Sequence, residues 1–305
     1  MQHGFQCQSS HWLIAADGKL QSNGRYVEPV TANDAKAVGN SLGFVLASQG
    51  YDVWLSDYRG NIHSRNHTTL SPESDEFWKF SIDDMIVNDL PAQIEYIKKA
   101  TKKKTISYIG HSQGNYMMLA LLSLRPEYSN TIKPFIALSP VSFFTKFEAP
   151  FVYFKYFKRQ LLWAFPRDYG TNLFNQLRLT QLCANRLLQK NVCYYVYWFF
   201  FGTPRAQVDY ERLPVYVNHF MAGSSTRNYV QLLQQESIPT KYSYDDEEPG
   251  RNLREYKADF PSIYKLGNIN STDIALVYTK RDWYNHIADV HLLKESLNGK
   301  NNFAK

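Results

Sequence analysis

Cysteine is scarce in this chain: only three of its 305 residues are cysteines. A framework of several disulfides is therefore excluded. Long apolar runs are missing too, because the aromatic run at residues 193–201 is too short to cross a bilayer. Composition also argues against disorder, since 44% of the residues are hydrophobic and 20% are charged. What remains is a globular chain long enough for one large domain with an insertion, or for two small domains.

The later two cysteines, Cys183 and Cys193, are close enough in sequence to close a small loop, which would leave Cys7 unpaired. A disulfide there needs an oxidising compartment. Two N-glycosylation sequons, at Asn66 and Asn270, favour the same compartment. The chain does not open with a basic-then-apolar leader, so we expect any secretion signal to lie outside the sequence given.

The formal net charge of +6 suggests an anionic partner, either a nucleic acid or an acidic lipid surface. The chain shows no nucleic-acid-binding motif, however, so we expect no nucleic acid as a partner. Cations at a helix C-terminus complement the helix dipole, which makes a solvated cap the simpler interpretation of the densest basic cluster. That cluster lies where a helix is predicted to end and comprises Lys98, Lys99, Lys102, Lys103 and Lys104.

The strongest signal is the pentapeptide Gly110-His111-Ser112-Gln113-Gly114. It follows a β-rich run, residues 105–109, and precedes residues 115–124, an apolar run typical of a buried helix. A strand that turns sharply into a helix strains the residue at the bend, and flanking glycines leave room for that bend. Ser112 would then project its hydroxyl from the sheet edge, beside the N–H of Gln113. The pattern indicates acyl transfer through a serine nucleophile; the alternative is an inert serine in a glycine-rich turn.

Strand and helix patterns alternate around this motif. The strand-like runs are apolar throughout, which is typical of a parallel, doubly wound α/β sheet buried on both faces. Ser81 is a predicted helix N-cap with Asp84 in the capping-box position, and Pro91 is a predicted kink. A long surface loop is expected at residues 17–34. Strands are predicted at residues 51–56, 105–109, 134–139 and 274–278, and helices at residues 38–48, 82–99, 115–124 and 287–297.

The middle of the chain has a different pattern. From residue 140 to about 240, strands give way to aromatic helical stretches, notably residues 151–157 and 193–201. These stretches form either the core of a helical cap or a surface that meets lipid. The predicted organisation is thus a core (residues 1–139), a helical cap (140–240) and the rest of the core (241–305). In that last part, Asp282 follows a strand at its carboxyl end, where catalytic groups gather in open α/β sheets.

Taken together, these blocks resemble the acid lipase family of α/β-hydrolases, which includes the gastric and lysosomal lipases. The similarity covers nearly the whole chain. Gln2-His3-Gly4-Phe5 resembles the family's His-Gly oxyanion loop, and the pentapeptide around Ser112 resembles its nucleophile elbow. Further family blocks match residues 51–61, 71–92 and 219–225 and the pair Asp282-Trp283.

This resemblance implies an α/β-hydrolase core with a helical cap, and it implies a role for each matching residue. Ser112 would be the nucleophile, flanked in the elbow by Gly110, His111 and Gly114. Asp282 would orient the base, and the N–H groups of Phe5 and Gln113 would form the oxyanion hole. The family also implies neutral acylglycerols or sterol esters as substrates, a lipid droplet or membrane interface as their source, and no metal or cofactor. A full-length parent would be secreted or lysosomal.

One family element is missing. In α/β-hydrolases the catalytic groups follow the order serine, acid, histidine, and this family carries the histidine in an Asn-His-Leu-Asp-Phe stretch after the aspartate. No such stretch occurs between Asp282 and Lys305. His286 is too close to Asp282 to come from a separate loop, and His291 falls on a predicted helix. The family's first strands have no counterpart either, so we expect a fold that is incomplete at both ends and a chain that is nearly inactive.

Two other functions remain open. One is a catalytically inactive lipid-binding protein built on a decayed lipase fold, because loss of one catalytic group is also how decay would begin. The other is a small-ester carboxylesterase, although a small substrate does not need so much aromatic surface.

Overall fold

The computed structural model of the chain describes residues 1–15, 19–20, 26–27, 41–146, 148–168, 179–202, 205, 208–270, 273–280 and 282–297. Its strands are β1 (Lys19–Leu20), β2 (Tyr26–Val27), β3 (Ile106–His111), β4 (Ile132–Leu138) and β5 (Ile274–Val277). Its α-helices are α1 (Leu42–Ser48), α2 (Ile82–Asp84), α3 (Leu90–Thr101), α4 (Gln113–Leu124), α5 (Lys158–Ala164), α6 (Leu179–Ala184), α7 (Arg186–Leu188), α8 (Tyr194–Phe201), α9 (Leu213–His219), α10 (Thr226–Gln234), α11 (Arg251–Tyr256) and α12 (Ile287–Leu297). Short 3₁₀ helices lie at Ser9–Trp12, Asp75–Trp78, Pro126–Asn130, Pro150–Phe157, Tyr244–Asp246 and Leu266–Asn268, and π-helical turns at Met85–Asp89 and Gln189–Cys193.

The central sheet is parallel, with the strand order β3-β4-β5. Gly110 of β3 is paired with Ala137 of β4, and Ala137 is in turn paired with Leu276 of β5. Phe135 and Ala137 of the middle strand are fully buried. The apolar runs thus form the predicted parallel sheet, because strands covered by helices on both faces need apolar side chains on both faces. The parallel α/β class predicted from the sequence is confirmed.

A fourth extended segment joins this sheet through one residue. Gln2 forms parallel bridges to Ser56 on one side and to Gly110 on the other. Its N–H donates to the Ile109 carbonyl at 2.8 Å, and its own carbonyl accepts from the His111 N–H at 3.0 Å. The predicted strand at residues 51–56 is wrong as stated, because only Ser56 is bridged and the rest of the segment lacks strand pairing. A strand needs a neighbour for its backbone groups, and the neighbour here is limited to Met1 and Gln2.

Helices α2 and α3 follow each other with the π-helical turn at Met85–Asp89 between them. The predicted capping box at their start is present, because the Asp84 carboxylate accepts the Ser81 N–H at 2.8 Å. The irregularity expected at Pro91 lies in the π-helical turn just before it; a proline has no N–H to continue the regular α-helical bonding. At the other end, Lys102 caps α3 in a left-handed conformation, so the basic cluster does lie at a helix C-terminus.

Helix α4 is buried along nearly its whole length, from Gln113 to Ser123. Such a helix is apolar on every side because it packs between the sheet and the surrounding helices. Its Met117, Met118 and Leu121 belong to the main hydrophobic core, which also contains Phe135 of β4. The nucleophile elbow is therefore attached to the most deeply buried helix of the described structure.

Short helices dominate the middle of the chain, as the aromatic pattern predicted. Helices α6 to α9 surround the Cys183–Cys193 disulfide. The two cysteines and Leu213 belong to a small separate hydrophobic core. Cys7 is buried and unpaired. No helix within the described ranges is both long and apolar enough to cross a membrane. The proposed division at residues 140 and 240 remains a prediction.

Two further predictions fall partly outside the described residues. Most of the predicted loop at residues 17–34 is outside them, although β1 and β2 within it form an antiparallel pair. The helix predicted at residues 38–48 is described from Leu42 onward. Of the two sequons, Asn66 and Asn270 are exposed, while the two residues that follow Asn270 lie outside the described part of the chain.

Candidate active site

Ser112 stands at the junction of β3 and α4 with φ of 51° and ψ of −115°. A non-glycine residue rarely adopts a positive φ, so this conformation costs free energy that the surrounding packing must supply. The Ser112 N–H donates to the Leu138 carbonyl at 3.1 Å, and its carbonyl accepts from the Asn115 N–H at 2.9 Å. The first bond ties Ser112 to β4, and the second ties it to the first turn of α4. Together they fix the bend between β3 and α4.

The two glycines of the pentapeptide are required by close packing. A Cβ on Gly110 would lie 2.3 Å from Asn115 Oδ1, and a Cβ on Gly114 would lie 2.7 Å from the Gln2 carbonyl oxygen. Real Cβ atoms do not approach other atoms this closely. Both glycines therefore let the backbone segments around Ser112 come together, which is the reason the elbow needs them.

We call residues 2–8 the oxyanion loop, after the role predicted for it; the loop passes directly beside Ser112. A Cβ on Gly4 would lie 3.1 Å from the Ser112 Cβ and 3.0 Å from His111 Nδ1. The Gly4 carbonyl accepts hydrogen bonds from the Tyr58 hydroxyl at 2.9 Å and from the Cys7 N–H at 3.2 Å. With its carbonyl held in this way, Gly4 keeps the next residue, Phe5, close to Ser112.

Asp57 anchors the same loop from the side. His3 Nε2 lies 3.2 Å from Asp57 Oδ1, and the Ser9 N–H donates to that oxygen at 2.8 Å. Burial alone would raise the pKa of Asp57, but the hydrogen bonds from His3 and Ser9 outweigh burial, so the pKa lies below its ordinary value. Asp57 is therefore a carboxylate in the folded chain at neutral and mildly acid pH.

Gln113 begins α4, so its N–H is one of the helix N-terminal donors that have no acceptor within the helix. Its side chain is buried, with the amide nitrogen 3.6 Å from the Met85 sulfur and 3.9 Å from the Met117 sulfur. The side chain is thus held inside the core, and only the backbone of Gln113 is directed to the elbow. The Gln113 N–H directly follows Ser112 in the chain, and the Phe5 N–H follows Gly4, the residue that packs against the Ser112 Cβ.

Asp282 lies in the loop that follows β5. Its Oδ1 accepts the backbone N–H groups of Tyr284 at 2.9 Å and Asn285 at 3.2 Å, which fixes the carboxylate orientation. Its charge acts on His111: burial lowers the pKa of His111, and the attraction of Asp282 only partly offsets this. The carboxylate therefore lies on the same side of the sheet as the elbow, at the carboxyl ends of the strands.

The histidines after Asp282 are not held by it. His286 Nδ1 accepts the Ala288 N–H at 3.2 Å and so caps the start of α12. His291 is exposed on α12. Among the described residues no histidine forms a hydrogen bond with Asp282 or with Ser112, so the structure does not bring a base to the nucleophile.

Histidines do cluster on the other side of the elbow. The His11 Nε2–H donates to the His219 carbonyl at 2.8 Å, and His63 Nε2 lies 2.8 Å from Gln8 Oε1. Burial lowers the pKa of His11 to about 3, and repulsion from His3, His111 and His219 adds to the effect. These rings are therefore structural supports of the oxyanion loop.

Aromatic side chains form an apolar cluster, which we call the wall, against the oxyanion loop and the aspartate loop. Phe5 stacks on Tyr229 of α10 with ring centres 5.7 Å apart. Trp283, next to Asp282, makes an edge-to-face contact with Trp198 of α8 at 5.1 Å. A Cβ on Gly202 would lie 2.4 Å from the Trp283 ring, so the end of α8 is pressed against that indole. Helices of the predicted cap thus contact both the oxyanion loop and the aspartate loop.

An ion pair joins the segment after α5 to the core. The Arg65 guanidinium donates to Asp168 Oδ2 at 2.7 Å, and the Asp168 carboxylate is buried.

Sequence reasoning missed this pair, as it missed Asp57 and Tyr229, because each contact joins residues far apart in the chain. Trp283 was missed as a wall residue although it directly follows Asp282. No group of His, Cys, Asp or Glu side chains within the described ranges is arranged to hold a metal ion.

The chain is similar in sequence to known proteins over most of its length. Residues 41–300 match the model of the alpha/beta hydrolase fold family. The chain is 31% identical to human gastric triacylglycerol lipase over 301 residues, which is 97% of this chain and 70% of that protein. It is 30% identical to rat lysosomal acid lipase/cholesteryl ester hydrolase over 95% of this chain and 68% of that protein. Human lipase member J is 31% identical over 97% of this chain and 76% of that protein. The chain therefore belongs to the α/β-hydrolases and, within them, to the acid lipase family.

Proposed function

We propose that this chain is a serine ester hydrolase of the lipase type that forms an acyl-enzyme on Ser112. The observation that carries the proposal is the positive φ of Ser112 between a parallel strand and a buried helix, with Gly4 packed against its Cβ. Strain of this kind persists where a structure needs it, and here it presents a hydroxyl beside two candidate oxyanion donors. The lipase names of the relatives support the same reaction class.

The reaction has two steps. The Ser112 oxygen attacks the ester carbonyl while a base takes its proton, and the N–H groups of Phe5 and Gln113 donate to the oxyanion that forms. The proton then passes to the leaving alcohol, and the acyl group remains on Ser112. Water attacks the acyl-enzyme by the same path and releases the carboxylic acid. No bond in this sequence is made to a metal or cofactor.

Asp282 would orient the base and stabilise its positive charge. The described residues offer no histidine bonded to Asp282, and His286 is already engaged as a helix cap. We therefore propose that the 305-residue chain hydrolyses esters slowly, because loss of one member of a triad removes most of the benefit of the other two.

Neutral lipid esters, such as acylglycerols or sterol esters, are the proposed substrates. The wall of Phe5, Tyr229, Trp198 and Trp283 is apolar and would bind a long acyl chain or a sterol. Such substrates occur in lipid droplets and membranes, so the enzyme would work at a lipid–water interface. The Cys183–Cys193 disulfide and the exposed Asn66 fit a secreted or lysosomal protein.

Labelling of the purified chain with a fluorophosphonate tests whether Ser112 is activated. We expect weak labelling that disappears in Ser112→Ala and is kept in Ser107→Ala, a change to an exposed serine earlier on β3. Hydrolysis of p-nitrophenyl butyrate and palmitate should be slow, with the palmitate preferred. Labelling of a serine other than Ser112 would overturn the proposed nucleophile. Turnover as fast as that of human gastric lipase would show that a base is present and overturn the slow-turnover proposal.

A non-enzymatic lipid-binding role is the second candidate, and it is favoured because no histidine among the described residues is bonded to Asp282. A folded chain that binds a fluorescent acylglycerol analogue, and that neither reacts with the fluorophosphonate nor hydrolyses either ester, would support this role. Binding should then be unchanged in Ser112→Ala and weakened in Trp283→Ala, since only the second change removes part of the apolar wall.

A further inference from the structure

An apolar groove runs along the first half of β3, away from Ser112, which stands at the other end of that strand. Residues 51–54 line one side of the groove and residues 106–109 line the other. Helix α3 covers it on one face of the sheet, and its volume is about 280 Å³. The apolar side chains that line it include Val53, Leu90, Ile94, Ile97, Ile132 and Ile136. The groove therefore suits an apolar guest and lies outside the candidate catalytic groups.

The groove has the width of one strand. At its inner end, Gln2 is bridged in parallel to Ser56 on one side and to Gly110 on the other. The two sides therefore stand two strand spacings apart, which is about 9.6 Å. Consecutive residues of both sides line the groove, as a gap between two strands requires, whereas one face of a sheet would supply alternate residues. At ~3.3 Å per residue, the groove has room for about four residues of extended chain.

Strand β3 directs unpaired backbone groups into the groove. The Ile109 carbonyl accepts the Gln2 N–H at 2.8 Å. The N–H and C=O groups of one strand residue lie on the same side, so the Ile109 N–H also points into the groove, as do both groups of Ser107 two residues earlier. Neither N–H has an acceptor among the described residues. An unpaired, buried backbone donor costs free energy, and a guest with its own carbonyl groups would remove that cost.

The opposite side of the groove already pairs in the manner of a strand. The Ser56 N–H donates to the Met1 carbonyl at 3.2 Å, and the Met1 amino group donates to the Trp54 carbonyl at 2.7 Å. This pairing stops at Met1, at the inner end of the groove. A guest strand in line with Met1 would continue it along residues 51–54.

A positive charge closes the inner end of the groove. In the 305-residue chain, the α-amino group of Met1 lies there, and burial lowers its pKa from the ordinary 8.0 to about 6. No carboxylate within the described ranges forms an ion pair with it. Burying a cation costs free energy unless an anion reaches it, so this end of the groove favours a guest that carries a negative charge.

One kind of guest meets all these conditions. A strand that runs parallel to β3 toward Gln2 has its carboxyl end at Met1, so its terminal carboxylate would meet the ammonium. We propose that the groove binds the carboxyl-terminal residues of an extended, apolar peptide from another chain as an added parallel strand. The peptide backbone pairs with residues 51–54 and 106–109, its side chains pack under α3, and its carboxylate pairs with the Met1 amino group.

A fatty acid is the simplest competing guest. Its carboxylate would also reach the Met1 amino group, and its acyl chain would fill the apolar space. It has no N–H or C=O groups along its length, however, so the N–H groups of Ser107 and Ile109 would stay unpaired. The backbone groups therefore favour the peptide. This inference does not require that Ser112 react.

Fluorescence anisotropy with a synthetic peptide tests the groove. The probe is Lys-Lys-Val-Ile-Val-Leu with fluorescein at its amino end and a free carboxylate, and it should bind the purified 305-residue chain saturably. The same peptide with a carboxyl-terminal amide should bind about tenfold more weakly, because it lacks the charge that pairs with Met1. A peptide N-methylated at both valines, which face the same side of the groove, should lose about tenfold or more. Absence of binding, or equal binding of the three peptides, would overturn the proposal.

Two variants of α3 test where the peptide binds. Ile97→Trp places a larger side chain in the groove and should weaken binding about tenfold or more. Ala92→Trp adds the same side chain at an exposed position of the same helix and should bind as the parent does. Equal binding by Ile97→Trp and the parent would overturn the proposed site. The Ser112→Ala chain should also bind as the parent does, so a failure of the proposed hydrolysis would leave this test unaffected.

Competition with decanoate separates the peptide from the fatty acid. Decanoate at the concentration of an unlabelled competitor peptide should displace much less of the probe than that peptide does. Displacement by decanoate as effective as that by the peptide would overturn the proposal, because the groove would then bind an apolar carboxylate without strand pairing.

Amide hydrogen exchange in the parent chain covers the case in which Ile97→Trp does not fold. Saturation with the peptide should slow exchange at Ser107 and Ile109 about tenfold or more, because their N–H groups gain acceptors. Amides of α12, which lies outside the groove, should keep their rates. Unchanged rates at Ser107 and Ile109 in the saturated chain would show that no strand is added there and would overturn the proposal.

Discussion

His3 Nε2 lies 3.2 Å from the Asp57 carboxylate, and this contact ties the oxyanion loop to the chain that follows residues 51–56. The loop carries no regular secondary structure of its own between Gln2 and Gln8. Its position beside Ser112 therefore depends on separate contacts: the backbone hydrogen bonds of Gln2 and Gln6, and side-chain contacts such as the one between His3 and the Asp57 carboxylate. Four predictions follow from this site and its surroundings.

The first prediction concerns Asp57. Its folded pKa lies below the ordinary value, so the carboxylate stabilises the fold above the unfolded pKa of about 3.9 and this stabilisation is lost as the pH falls through the folded pKa. Asp57→Asn should lower the free energy of unfolding by about 1–2 kcal/mol at neutral pH. Urea unfolding from neutral pH down to about pH 3 should show this deficit shrinking at the acid end. Asp52→Asn, at an exposed position, should show no deficit; a constant deficit for Asp57→Asn would contradict the electrostatic account.

His11 gives a prediction of the opposite kind. The folded chain holds its pKa at about 3, against an ordinary value of 6.5, so the unfolded chain takes up a proton first as the pH falls. His11 should therefore destabilise the fold progressively between about pH 6.5 and pH 3. Thermal unfolding of His11→Gln, which keeps a donor for the His219 carbonyl, should depend less on pH in this window than that of the parent. The exposed His67→Gln should follow the parent; a parallel curve for His11→Gln would count against the prediction.

Gly202→Ala tests the contact between α8 and the aspartate loop. Gly202 has φ of 64°, and an added Cβ would lie 2.4 Å from the Trp283 ring. A left-handed alanine costs about 1–2 kcal/mol, and displacement of the indole adds about 1–3 kcal/mol. Gly50→Ala is the matched control, because Gly50 has φ of 88° and open space around it. Chemical unfolding should show a larger loss in the free energy of unfolding for Gly202→Ala than for Gly50→Ala, together with changed tryptophan fluorescence. Equal losses would mean that displacement of the Trp283 indole does not destabilise the fold.

Gly114→Ala tests whether the elbow and the oxyanion loop are packed as one unit. The new Cβ would lie 2.7 Å from the Gln2 carbonyl oxygen and 3.0 Å from that of His3, both backbone atoms that cannot rotate away. We expect a loss of about 1–3 kcal/mol in the free energy of unfolding, and reduced fluorophosphonate labelling of Ser112 in the folded protein. Gly267→Ala is the control, since its Cβ would meet nothing nearer than 3.9 Å. If a stable Gly114→Ala chain were labelled as fully as the parent, the elbow and the oxyanion loop would not be packed as one unit.

The elbow and its supporting elements could be predicted from the sequence because they are local. The Gly-x-Ser-x-Gly spacing, the β-rich run before it and the apolar run after it lie within one stretch of chain, and β3 and α4 form there. The capping box at Ser81 and Asp84 is local in the same sense. Helix α12 at Ile287–Leu297 also occupies the range that its apolar spacing predicted.

Contacts that join distant residues could not be predicted in this way. The stacking of Phe5 on Tyr229, the ion pair of Arg65 with Asp168 and the contact of Gly202 with Trp283 each depend on the tertiary fold, which no local pattern encodes. Residues 51–56 were predicted as a strand and do not form one. Their composition favours a strand, but strand pairing also requires a partner backbone, and only Met1 and Gln2 supply one.

The sheet has fewer backbone hydrogen bonds at one edge than in its centre, because residues 51–56 are bridged to it through Gln2. The β3-β4-β5 ladder is continuous, whereas residues 51–56 are joined to it through the few backbone hydrogen bonds of Met1 and Gln2. Regions with few hydrogen bonds open locally at lower free energy than continuous ladders do. The amide hydrogens of Ser56 and Ser112 should differ accordingly. The Ser56 N–H donates to the Met1 carbonyl and exchanges when this narrow seam opens, while the Ser112 N–H donates to the Leu138 carbonyl of β4 and exchanges only when the ladder opens. We therefore expect slow amide exchange at Ser112, which is bonded to the continuous ladder. Exchange should be faster in the oxyanion loop beside it, which is joined to residues 51–56 by few hydrogen bonds.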